Sequence, residues 1–113
     1  MGTSIVVAWD LEGEHSWPSA PDCYDFLRNP HHHIFHFEVA IPILTSRQLE
    51  FLEVRRMLMG ALLDRFGPEV CRFGPRSCED LVEDLKEIAK SIYVQPDRVA
   101  VYEDNFVGAE WRR

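Results

Sequence analysis

The sequence predicts an α+β fold, an antiparallel sheet with two helices on one face. Three observations carry this. Apolar residues alternate with period two in segments near both ends of the chain. Between them lie two segments with apolar residues at helical spacing. The resulting order is β-β-α-α-β-β, and strand pairs flanking a helix pair place both helices against one antiparallel sheet. The 113 residues suffice for one domain with a modest core, and residues 1-113 are expected to form it.

Each element has its own signal. In residues 4 to 17, Ile5, Val7, Trp9, Leu11, His15 and Trp17 share one parity while Asp10, Glu12, Glu14 and Ser16 share the other. This reads as a half-buried strand with a bend at Gly13. Residues 18 to 30 contain Pro18, Pro21, Asn29 and Pro30 and read as a loop, with a short helical turn near Tyr24 to Leu27. The second strand covers residues 33 to 44, its alternation reaching back to His31. Thr45 to Gln48 has the form of a capping box. The helix expected after it carries Leu49, Leu52, Leu58, Ala61, Leu62 and Phe66 and stops at Gly67-Pro68. Residues 67 to 76, with two Phe-Gly-Pro triplets, read as a loop. Ser77 is the N-cap expected for the second helix, with Asp80 at the third helical position and one stripe from Leu81 to Ile92. Arg98 to Glu103 and Phe106 to Trp111 are strands joined by a turn at Asp104-Asn105. In the first of them, composition leaves open whether Val99, Val101 and Glu103 or Ala100 and Tyr102 face the core.

Composition narrows the function classes. Hydrophobic residues are 46% and charged residues 27%, as in an ordinary soluble domain. A net charge of −7 disfavours nonspecific binding to nucleic acid or to anionic membranes. Apolar runs are far too short to span a bilayer, and no secretory leader opens the sequence. Cys23, Cys71 and Cys78 are odd in number and lack C-x-x-C spacing, so neither a disulfide framework nor a thiolate zinc site is expected. A reducing, cytoplasmic location fits. Cys71 reads as a small buried residue.

The chemistry concentrates in Pro30 to Val39, where His31, His32, His33 and His36 fall within six positions. Strand alternation puts His31 and His33 on one side, at the end of the stripe Phe35, Phe37, Val39, Ile41 and Ile43. An H-x-H pair on a strand offers two ligands to a metal, and His15, on the apolar side of the first strand, is the obvious third. His32 and His36 have the opposite parity and are expected to face solvent. Trp9, Trp17 and Trp111 are expected in the core or a subunit interface rather than as stacking platforms.

Four motifs in register resemble a known family. Gly13-Glu14-His15, His31-x-His33-x-Phe35, Ser77-Cys78-Glu79 and Val101-Tyr102-Glu103 are similar to the motifs of the 6-pyruvoyltetrahydropterin synthase and 6-carboxytetrahydropterin synthase family. The resemblance spans nearly the whole chain and implies the tunnelling fold. It also implies a zinc-dependent lyase or synthase acting on a reduced pterin, 7,8-dihydroneopterin triphosphate. By the same resemblance His15, His31 and His33 hold Zn2+, leaving a fourth position for water or substrate. Glu103 is the carboxylate that accepts two N–H bonds from the pterin ring. Ser77 and Cys78 line that pocket, and the chain forms a homo-oligomer, a trimer or hexamer, with the site between subunits. Arg72, Arg76 and His32 could supply contacts to phosphate.

The sequence departs from the family pattern in the proton-transfer residues. The family cysteine lies a few residues before H-x-H, whereas Cys23 precedes His31 by eight. Leu63-Asp64-Arg65 is the nearest match to the family L-D-H-like segment, with arginine in place of histidine. Cys23 and Asp64 are the candidates for catalysis on this basis. The departures motivate two alternatives: a divergent pterin- or purine-binding protein with lost or altered catalysis, and an oligomer in which metal serves only to staple subunits.

Overall fold

The computed structural model describes residues 2–113. Five strands, β1 (Thr3–His15), β2 (His31–Ile43), β3 (Cys71–Gly74), β4 (Arg98–Glu103) and β5 (Val107–Arg112), form one sheet in the order β3-β1-β2-β4-β5. Two helices, α1 (Phe51–Phe66) and α2 (Cys78–Ile92), follow β2 and β3. The β-β-α-α-β-β order therefore holds, with one short strand added between the helices.

β1 and β2 pair antiparallel along their full length, from Thr3 opposite Ile43 to His15 opposite His31. β1 ends at His15 rather than at residue 17, because the Ser16 N–H already turns to the Gly74 carbonyl and the Trp17 N–H to that of Leu27. β3 was hidden in the segment read as a loop. Its four residues alternate, Cys71 and Phe73 buried, Arg72 and Gly74 exposed, and it pairs parallel to the end of β1. Gly13 makes room for it. A Cβ there would lie 2.5 Å from Phe73 Cε2 and 3.0 Å from Phe35 Cδ2.

One sheet face is apolar and carries the core. Phe35, Phe37, Val39 and Ile41 of β2 and Val99 and Val101 of β4 have no exposed surface. They meet Val54, Leu58, Leu62 and Phe66, spaced four apart on α1, and Leu81, Val82, Leu85 and Ala89 on α2. The valines of β4 face the helices, which puts Glu103 at the end of the same stripe. Cys71 is fully buried, as expected of a small apolar residue.

The two helix starts differ in how well the sequence foretold them. α2 begins where expected: Asp80 N–H donates to Ser77 Oγ and Ser77 N–H to Asp80 Oδ2, both at 3.1 Å. α1 does not begin at a Thr45–Gln48 capping box. Gln48 Oε1 instead accepts from the backbone N–H groups of Leu44 and Thr45, and Arg47, at φ 61°, takes the chain out of a helical path. The N-cap is Glu50, whose carboxylate accepts from Leu52 N–H at 2.9 Å. Among the described residues no helix is long and apolar enough to cross a membrane.

Candidate metal centre

The full register of β1 and β2 has a direct consequence at its open end. His15 sits opposite His31, Gly13 opposite His33, and Phe35 opposite Glu103 on β4. With strand alternation, three imidazoles and one carboxylate gather on the helix-facing side where the apolar stripe stops. One ring nitrogen from each of His15, His31 and His33 lies within 4.8 Å of the others.

The outer ring nitrogens are already committed. His15 Nδ1–H donates to the Arg76 carbonyl at 2.8 Å, and His31 Nδ1–H to the Asn29 carbonyl at 3.0 Å. His33 Nδ1–H donates to Asp104 Oδ2 at 2.7 Å. Such partners fix the tautomer and leave Nε2 as the ligating atom. His15, only 7% exposed, has its Nε2 buried without a hydrogen-bond partner. Glu103 Oε1 lies 3.0 Å from that atom, off the hydrogen-bonding direction, and Oε2 lies 3.5 Å from His33 Nε2. Lone pairs this close need positive charge beside them, from a proton or a divalent cation. The donor set, nitrogen-rich with one adjacent carboxylate, fits a borderline metal such as zinc.

The electrostatics are consistent. Burial pulls the His15 pKa down, but the Glu103 carboxylate and the Arg76 carbonyl outweigh it and the net direction is up. Glu103 is held below the usual carboxylate range, first by the neighbouring His15 ring, against the opposing effect of burial. Cys78, the first residue of α2, is pushed up to about 12 by burial and by the charge of Glu103. It is therefore a thiol, and its S–H donates to Glu103 Oε1 at 3.7 Å. Asp104 is held low by the Ile34 N–H and by His33.

A cavity of about 560 Å³ opens over this group, within the range of small-molecule sites. His15, His31 and Glu103 line it together with the Arg76–Asp80 segment, Trp17 and Leu27. The sequence-derived residues thus divide in two. His15, His31, Glu103, Ser77 and Cys78 line the cavity, with His33 beside them in the imidazole cluster. Cys23 lies exposed in a 3-10 segment, Asp22–Leu27, and Asp64 is exposed on α1; neither lines the cavity. The Arg76 guanidinium is committed to Asp84, to the Phe73 carbonyl and to the face of Phe66. Arg72 is exposed beside Glu14. Asp104, which the sequence marks only as a turn residue, joins the group through His33. It directly follows Glu103, at φ 52°, and its Oδ1 also accepts from Ile34 N–H at 2.9 Å.

This architecture has known counterparts. The structure of Caenorhabditis elegans 6-pyruvoyl tetrahydropterin synthase superposes with a TM-score of 0.70 over 98% of this chain and 95% of that one. The fold is the tunnelling fold. Sequence identity across that superposition is only 12%. The uncharacterized protein WS1659 from Wolinella succinogenes matches with a TM-score of 0.58 and 17% identity, over 96% and 97% of the two chains. No family model and no curated protein sequence matches the chain. Fold and local geometry, rather than sequence similarity, therefore carry the functional argument.

Proposed function

We propose that the protein is a zinc-dependent lyase or synthase of pterin metabolism that acts on 7,8-dihydroneopterin triphosphate. The observation that carries this is the convergence of His15, His31 and His33 beside Glu103, next to the cavity, on the fold of a pterin synthase. Zinc, when bound by the three histidines, supplies Lewis acidity that polarises the substrate side-chain oxygens and favours enolisation. The chain's own residues do the rest. Glu103, ionised, accepts two parallel N–H bonds from a 2-amino-4-oxo ring edge. The Cys78 thiol holds one oxygen of that carboxylate in place. Asp104 and the Arg76 carbonyl orient His33 and His15. Ser77 starts α2, whose N-terminal dipole favours anionic groups at this side of the cavity. The homo-oligomer, trimer or hexamer, implied by the resemblance and the cytoplasmic location suggested by the cysteine content belong to the same proposal.

The placement of Cys23 and Asp64 favours a second reading, a pterin- or purine-binding protein with altered chemistry. Neither lines the cavity of its own chain, which therefore lacks the expected proton-transfer side chains. One experiment separates the two readings. Zinc-loaded protein and its His31→Ala variant are incubated with 7,8-dihydroneopterin triphosphate and the products identified by mass spectrometry. A pterin lacking triphosphate, formed only by the intact protein, establishes the lyase. Unchanged substrate that nonetheless raises the melting temperature leaves the binding protein, and absence of both overturns the pterin assignment.

A further inference from the structure

We propose that Trp17 is the stacking wall of the cavity and selects a flat, two-ring heteroaromatic ligand over a single ring. This rests on the pterin reading above and adds a residue to it. The three tryptophans have different environments. Trp9 is buried and stacked on Phe37, and Trp111 packs against the core under the Lys86 ammonium. Trp17 alone is 46% exposed and lines the cavity.

Its position is held from both sides. The Trp17 N–H donates to the Leu27 carbonyl at 2.7 Å, and the Trp17 carbonyl accepts from Ala20 N–H at 3.0 Å. The indole packs near-parallel to Tyr24, centroids 6.4 Å apart and planes 26° apart, and Tyr24 in turn meets Phe26. A large aromatic surface kept open beside a cavity, on a tied backbone, is suited to stack a planar ring. Glu103 cannot by itself distinguish one ring from two, because it reads only the edge that carries the N–H donors. Overlap with the indole can, since the second ring enlarges the stacked area. Alanine substitution at base-stacking aromatics typically corresponds to roughly 5- to 150-fold in affinity.

The test uses the zinc-loaded full chain and two probes with the same N–H edge: pterin, with two rings, and isocytosine, with one. Affinities are measured calorimetrically for the wild type, Trp17→Leu, Trp17→Phe and Glu103→Ala. Pterin emission is followed alongside, because a stacked indole quenches it. The expected result is a roughly 10-fold loss of pterin affinity in Trp17→Leu and less than threefold in Trp17→Phe, against at most a threefold change for isocytosine. Quenching should be strong in the wild type and absent in Trp17→Leu, a readout that a merely structural role would not move. Pterin bound equally by wild type and Trp17→Leu, but not by Glu103→Ala, overturns the role of Trp17 and leaves the pterin reading standing. No pterin binding by the wild type overturns both.

Discussion

Strand β2 carries two sets of histidines that behave as opposites. His31 and His33 face the helices and join His15; His36 faces outward. In the triad each Nδ1–H is spent on a carbonyl or carboxylate and one nitrogen per ring is left over. His36 has none left over. Its Nδ1 lies 2.6 Å from Asp10 and its Nε2 2.8 Å from Glu38, whose other oxygen accepts from Arg98 at 2.8 Å. A ring donating from both nitrogens is an imidazolium, and an imidazolium binds no metal. A carboxylate at each nitrogen thus favours the charged form of His36, while in the triad the second nitrogen of each ring makes no hydrogen bond and only Glu103 lies near those of His15 and His33.

The largest effect that would break this contrast is loss of a triad member. His15→Ala or His31→Ala should weaken zinc binding by more than the 10- to 100-fold typical of losing an outer partner, about 100-fold or beyond. Competition against a chromophoric chelator reads this directly. Affinity within threefold of wild type would mean that the three rings do not form one site. Zinc should also raise the melting temperature of the wild type and not of these variants, by linkage.

Asp104→Asn comes next. It removes the charge that orients His33 while leaving all three ligands, so zinc affinity should fall about 10- to 100-fold with little change in fold. An unchanged affinity would show that the turn residue only closes the hairpin.

The His36 cluster should respond to pH and not to metal. Burial lowers its pKa, but Asp10 and Glu38 outweigh that and the net direction is up. A raised folded-state pKa gives stabilisation that is complete below about 6.5, the unfolded value, and lost as pH rises through the folded value. Urea midpoints should therefore converge between wild type and His36→Gln at alkaline pH and separate on acidification towards 6. The gap should be about 1 kcal/mol or less, as befits a partly solvated ion pair. A gap that widens with rising pH would reverse the assigned sign.

How much of this was written in the sequence depends on the range of the signal. Period-two alternation alone placed His15, His31 and His33 on one face, and the Ser77–Asp80 pair fixed the start of α2, because each depends on neighbours in the chain. β3 escaped because its pattern is four residues long and flanked by Gly-Pro pairs; only the parallel edge of β1 makes it a strand. The Thr45–Gln48 box failed because the Gln48 amide caps a turn and not a helix. The exposure of Trp17 and the Asp104–His33 pair were invisible for a different reason: they depend on how the 16–30 loop and the β4–β5 hairpin fold back over the sheet end, across dozens of residues.

The smallest effect is the most exacting check on the register itself. His32 lies between two proposed ligands in sequence yet points to the opposite face, its Nε2 3.3 Å from Glu12 Oε2 and both side chains more than half exposed. His32→Gln should leave zinc affinity unchanged and alter stability by no more than about 0.5 kcal/mol. Because side chains alternate, a one-residue slip of β2 would exchange His32 for both His31 and His33 on the helix-facing side. A zinc-affinity loss in His32→Gln as large as in His31→Ala would therefore locate the error in the strand register, and with it in the placement of Phe35 and Phe37 in the core.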